Sequence, residues 1–209
     1  MHIADGVLSL PVVVTTFGAT AVAVGNSIKG IEEEDIPKIS LMAGGFFAVS
    51  LINIPVGPST IHPIFAGLMG VVLGKRAPLA LFVGLLLQAI LFQHGGLTTL
   101  GANTFMLAVP AIISHKIYHS MVGRSTFFKG TLAGGVAVPI TILILISLLL
   151  LTDLRFTEGT FSTINILIIG HLPLIIIEAL VTGSALKLIE QTKPELLPVR
   201  EVKENVQNY

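Results

Sequence analysis

The 209-residue chain has no cysteine and no tryptophan, and Asp, Glu, Lys and Arg together make up only 11% of it. Without cysteine there is no disulfide, no thioether-linked haem, no iron–sulfur cluster and no thiolate metal site, so any metal ligand must be nitrogen or oxygen. Six histidines and the carboxylates remain as strong side-chain ligands. The charged fraction is well below the roughly 25% of an ordinary soluble domain. Twelve Lys and Arg balance twelve Asp and Glu, and no basic run is interleaved with aromatics, which excludes a nucleic-acid surface. There is no GxxxxGK[ST] loop to hydrolyse ATP, no HExxH, no GxSxG and no carboxylate pair of a hydrolase.

What the chain does have is apolar length. It is 53% hydrophobic, with a mean hydropathy of +0.89, and polar groups are too few to cover a soluble surface, so an integral membrane protein is expected. A spanning helix needs about 20 mostly apolar residues. Seven candidate segments lie near residues 7–25, 39–54, 61–74, 77–93, 104–122, 130–151 and 162–186, the second and third of them short at 16 and 14 residues, and they predict an all-α polytopic protein, a compact bundle of seven transmembrane helices.

Charge placement tests this count. With the amino terminus outside, Lys29, Lys38, Lys75, Arg76, Lys116, Arg124, Lys129, Lys187, Lys193, Arg200 and Lys203 all fall inside and Arg155 alone outside, as the positive-inside rule requires. Treating 61–74 as non-spanning inverts every later loop and reverses the bias. The start MHIADG has an acid and no Lys or Arg, so the positive n-region of a cleavable signal is missing, and the terminus is expected to survive and face outside. Residues 1–190 are expected to form the membrane domain and 191–209 a polar cytoplasmic tail. The acidic run Glu32, Glu33, Glu34 and Asp35 reads as a solvated loop.

Polar groups at membrane depth are costly and therefore candidates for function. Three stretches stand out on the outer side: MHIADG, NIPVGPSTIHP (Asn53–Pro63) and QHGGLTTLGAN (Gln93–Asn103). A free α-amine at Met1, the amide nitrogen of His2 and its Nδ1 can close a five-membered and then a six-membered chelate ring around one ion. Such a planar nitrogen field suits Ni(II) or Cu(II) rather than tetrahedral Zn(II) or the octahedral oxygen shell of Mg(II). His62 is the natural fourth ligand, provided that the amino-terminal hexapeptide folds back, with Gly6 as its pivot. His94, beside Gly95 and Gly96, is placed to orient a ligand, and Ser59 and Asn103, in the same two loops, are expected around the ligands.

The other histidines read differently. His115 and His119 are one helical turn apart beside Lys116 and Arg124, and we read them as interfacial. His171 and Glu178 are seven residues apart on one helix face and read as a buried polar pair or a proton relay. Ala19 and Ala23, Ala66, Gly70 and Gly74, and Gly130 and Gly134 follow the small-xxx-small spacing of close helix contacts in lipid.

MHIADGVLS, IPVGPSTIHPIFAGLMGVVLG, QAILFQHGGLTTLGAN and HLPLIIIEALVTG together resemble, in order, the CbiM/NikM family, the substrate-binding (S) components of energy-coupling-factor transporters for cobalt and nickel. The resemblance implies a seven-helix bundle with its amino terminus inserted from outside. It implies a roughly square-planar nitrogen site at Met1, His2 and His62, carrying Ni2+ or Co2+ as cargo and no organic cofactor. It further implies a transmembrane coupling subunit, two ATPase subunits and, in some systems, a small accessory membrane subunit, in the cytoplasmic membrane of a prokaryote. The small-residue faces of the first and third helices are expected to dock the coupling subunit. The chain would then be a transport subunit and no enzyme, its cargo nickel or cobalt serving a nickel enzyme or cobalamin synthesis. Two rival readings are a membrane zinc hydrolase built on His62, His94 and Glu178, and a passive divalent-cation channel.

Overall fold

The computed structural model describes residues 2–56, 59–159 and 162–197. Its helices are α1 (Leu10–Ile28), α2 (Asp35–Ser50), α3 (Ala66–Leu73), α4 (Ala77–Phe92), α5 (Leu100–Ser120), α6 (Thr126–Thr152) and α7 (Thr163–Thr192). Among the described residues four stretches are long and apolar enough to cross a membrane, Leu10–Ile28, Thr126–Thr152, Thr163–Thr192 and Ala66–Phe92, the last of which doubles back at Gly74 and so is not one straight span. Helix α2 has 16 residues and α5 carries Asn103, Thr104, His115, Lys116 and His119, so neither reaches that standard of length and apolarity.

One element departs from the all-α expectation. Between α2 and α3 the chain forms an antiparallel hairpin, β1 (Ile54–Val56) and β2 (Ser59–Ile61), with Ile54 opposite Ile61. Pro55 and Pro63 lack the N–H that a helix interior needs, so this stretch cannot continue a helix. The apolar segment expected from residue 61 therefore becomes helical only at Ala66. Eight residues give α3 a rise of about 12 Å, well short of the thickness of a bilayer core.

Contacts between elements give the direction of each helix. Ser9 N–H donates to Thr152 Oγ1 at one end of the bundle, joining the start of α1 to the end of α6. At the far end Ser27 Oγ donates to the Lys75 carbonyl. Gly70 lies against Ala111 and Gly74 against His115, so α3 descends beside α5 in the same direction. At Gly74, φ +54°, the chain turns through the 3-10 segment Gly74–Arg76. Helix α4 then returns beside α2, with Gly84 on Phe46 and the Gln88 amide bonded to Ser50. Arg76, 7% exposed, secures this corner: it donates to the carbonyls of Ser27 and Lys29, both at 2.7 Å, and to that of Gly30, and it pairs with Asp35 at 3.0 Å. It thereby supplies donors that the carbonyls at the end of α1 otherwise lack.

Glycines let the interior helices touch backbone to backbone. A Cβ on Gly70 would fall 2.0 Å from the Ala111 oxygen, one on Gly134 would fall 2.5 Å from the Glu178 oxygen, and Gly130 meets Gly183. The small face of α3 is thus consumed inside the bundle, where Ala66 is fully buried. It is not free to dock another subunit, contrary to the expectation from spacing alone. Helix α1 differs, since Gly18 and Gly25 look onto open space.

Gly70→Val is expected to lower stability by at least the roughly 1–3 kcal/mol of core overpacking, because carbonyl backbone cannot yield as a side chain does. Thermal unfolding in detergent should show a lower midpoint for Gly70→Val, whereas Gly18→Ala should match or exceed the parent.

Candidate metal site

Two non-helical segments meet at the amino-terminal end of the bundle. The first is the strand-like run after His2. Ile3 N–H donates to Asn103 Oδ1 at 2.7 Å, and Asn103 Nδ2 donates back to the Ile3 carbonyl at 3.1 Å. Thr99 Oγ1 donates to that same carbonyl at 2.7 Å. One carboxamide thus pairs with both polar groups of a buried residue, as a neighbouring strand would. Asp5 extends the strap by accepting from Thr98 N–H at 2.9 Å and from its hydroxyl at 2.5 Å, bonds that hold its carboxyl below the usual carboxylate range. Gly96 makes this possible, because a Cβ there would lie 2.0 Å from Asp5 Oδ1.

The second segment runs from β2 into α3. Ile61 packs against Gly170 of α7, where a Cβ would meet its side chain at 2.3 Å. His62 follows, then Pro63 and Phe65, the latter left-handed at φ +44°. His62 Nδ1 lies 2.7 Å from the Pro63 oxygen. A carbonyl can only accept, so Nδ1 carries the proton and Nε2 keeps its lone pair. Glu178 of α7 accepts from Ile64 N–H at 2.6 Å and from Phe65 N–H at 3.0 Å.

These segments bring His2 and His62 together. Each is 2% exposed, and their ring centroids lie 4.5 Å apart. The rings are stacked, 22° from parallel, which brings both side chains into one buried pocket. His94 stands edge-on to His2 at 4.7 Å and lies 6.4 Å from His62. It is delivered by Gln93, whose left-handed φ of +51° ends α4. Both ring nitrogens of His2, Nε2 of His62 and Nε2 of His94 are buried without a hydrogen-bond partner. Buried polar atoms are normally paired, and each neutral imidazole keeps one lone pair, so this cluster has the chemistry of a partial ligand set.

Electrostatics agree. Burial pushes the His2 imidazole down to about 3, helped by the nearby His94 and opposed by the Gln88 side chain, which stands beside the ring without meeting hydrogen-bond geometry. It lowers His94 as well. Neutral imidazoles are the form that binds metals. Among the described residues no three His, Asp or Glu side chains converge closely enough to hold an ion on their own. The further nitrogen donors within covalent reach of His2 are its own amide and the amine of residue 1.

Of the site residues expected from sequence, His2, His62, His94 and Asn103 are gathered here. Ser59 lies in β2 opposite Val56. Met1, Gly57 and Pro58 lie outside the described residues. His171 and Glu178 do not bond each other: His171 Nδ1 is 2.6 Å from the Leu167 carbonyl, and Glu178 serves the α3 loop. With its carboxylate so engaged, Glu178 does not join His62 and His94 in a zinc triad. The rings of His115 and His119 lie 4.4 Å apart toward the other end of α5. Thr99 and Gln88 were not singled out from sequence; a polar residue inside an apolar helix was the only available signal for Gln88.

Residues 2–196 match the family model described as the cobalt uptake substrate-specific transmembrane region, CbiM. A putative metal transport protein of Haemophilus influenzae is 28% identical, over 94% of this chain and 97% of its own length. A cobalt transport protein CbiM of Desulforamulus reducens is 31% identical, over 95% and 84%. A putative fused nickel transport protein NikMN of Archaeoglobus fulgidus is 24% identical, over 94% and 68%. A solved structure of a truncated transition metal transporter superposes with a TM-score of 0.80 at 26% identity, covering 91% of this chain and 99% of that one. By sequence along nearly its whole described length, and by fold, the chain belongs to the CbiM family of cobalt and nickel transport membrane components.

Proposed function

We propose that this chain is the substrate-capturing membrane subunit of an importer for Ni2+ or Co2+. The observation that carries the reading is the burial of His2 against His62, with unpartnered ring nitrogens, by a strap that has no other evident purpose. The amine of Met1, the deprotonated amide and Nδ1 of His2, and Nε2 of His62 form a square-planar nitrogen site. His94 borders it, while Asn103 and Thr99 hold its peptide in place. All seven helices cross the cytoplasmic membrane, alternating in direction, with the amino terminus outside and residues 191–209 inside as a polar tail after the 1–190 membrane domain. The chain has no nucleotide loop, so ATP hydrolysis belongs to two ATPase subunits acting through a coupling subunit, with a small accessory membrane subunit in some assemblies. The open glycine face of α1 is the available small-residue surface for the coupling subunit.

The direct test compares Ni2+ and Co2+ binding by calorimetry to protein with its native terminus and to protein with one residue added before Met1. The extension should weaken binding by at least a hundredfold while leaving the fold intact. Equal affinity would remove the amine from the site.

Proton release gives a second test. The imidazoles of His2 and His62 are 2% exposed and His62 Nδ1 donates to the Pro63 carbonyl, and burial disfavours the charged ring, so the histidines contribute little to proton release. The terminal amine, ordinarily near 7.7–8.0, and the amide must each lose one, so affinity falls with pH by about tenfold per unit above pH 8 and about a hundredfold per unit from pH 7 to 5. Calorimetry in buffers of different ionisation enthalpy should count about two protons per ion at pH 6; four would mean that the histidines are not held neutral.

Asn103→Leu should leave the bundle folded and loosen the strap, lowering Ni2+ affinity by about 10–100-fold, the usual effect of losing a partner that orients a ligand. Faster amide exchange at Ile3 should accompany it.

A further inference from the structure

We propose that Glu178 is the positioning residue for His62, acting through the backbone of the α3 loop and not through its charge. The proposal rests on the reading of His62 as a ligand. Glu178 is fully buried, midway along the 30-residue α7. Its Oε1 accepts from both Ile64 N–H, at 2.6 Å, and Phe65 N–H, at 3.0 Å, and Oε2 lies 3.2 Å from the latter.

The loop needs this. Residue 65 is the residue before α3, it has a left-handed backbone at φ +44°, and no side chain within α3's own first turn caps the helix. The amides at a helix start have no partner within the helix, and irregular backbone at membrane depth survives only where protein satisfies it. A carboxylate from a different helix fills that role here. His62 is two residues upstream, its ring locked by Pro63, and Ile61 is fixed on the same helix by Gly170. The loop is therefore clamped to α7 on both sides of His62, and the direction of Nε2 follows from that clamp. Phe65 and Ile64 are apolar and offer no polar side chain of their own, so Glu178 is the group that decides whether the fourth ligand faces His2.

Two conservative variants separate reach from charge. Glu178→Gln keeps an oxygen at the Oε1 position and drops the charge. Glu178→Asp keeps the charge and withdraws the acceptor by one methylene. For detergent-purified protein with its native terminus, Glu178→Gln should bind Ni2+ within about threefold of the parent, and Glu178→Asp about 10–100-fold more weakly. In a His62→Ala background, where the amino-terminal chelate retains weak binding, Glu178→Asp should have no further effect on affinity, because its target is gone. Asp binding like the parent, Gln losing as much as Asp, or an equal loss with and without His62 would each overturn the proposal. Failure of the parent itself to bind Ni2+ would instead remove the reading on which it rests.

Discussion

Backbone amides and carbonyls that leave a helix inside a membrane have no water to bond with, and this constraint organises the protein around its site. The chain leaves helical form at depth twice, at the amino-terminal strap and in the loop before α3. Each departure is satisfied by a polar side chain borrowed from another helix. Asn103 of α5, with Thr99, completes Ile3, and Glu178 of α7 completes Ile64 and Phe65. The buried carboxamide and carboxylate thus replace the missing secondary structure, and the histidines that these segments carry inherit their rigidity.

The same arrangement makes the site chemically receptive. Removing His2 and His62 from water disfavours their charged forms and favours the neutral rings that offer a lone pair. Fixing His62 Nδ1 on Pro63 settles which nitrogen is free. No side-chain cluster among the described residues suffices for an ion by itself, which directs attention to the backbone nitrogen of His2 and the terminal amine. Neutral imidazole nitrogens suit late first-row metals rather than Mg2+ or Ca2+, which favour oxygen ligands.

Depth for the loop comes from glycine. Because α3 packs on α5 and α6 with backbone nearly in contact at Gly67 and Gly70, a helix of only eight residues is held firmly, leaving the upper half of its path to the hairpin and His62. Arg76 at the far corner and the α6–α7 contact through Gly130 and Gly134 fix the frame against which Glu178 is measured.

The membrane class, the polar stretches that matter and the ligand types were legible in the sequence, because low charge, absent cysteine and a histidine at position 2 are statements about composition and covalent chemistry. What could not be read was partnership across the bundle. Spacing put His171 and Glu178 on one face and suggested a pair, but hydrogen bonding depends on what a third element offers, and the bare amides of Ile64 and Phe65 claimed the carboxylate. Small residues at helical spacing marked α3 as a close-packing face without saying whether its neighbour was inside or outside the chain. The hairpin was hidden because a short apolar run suits strand and helix alike. Sequence alone determined which atoms could bind a metal, since that is fixed by residue chemistry. Tertiary structure decided which of them meet, since only packing sets the burial and hydrogen bonds that hold two distant loops within one ion's reach.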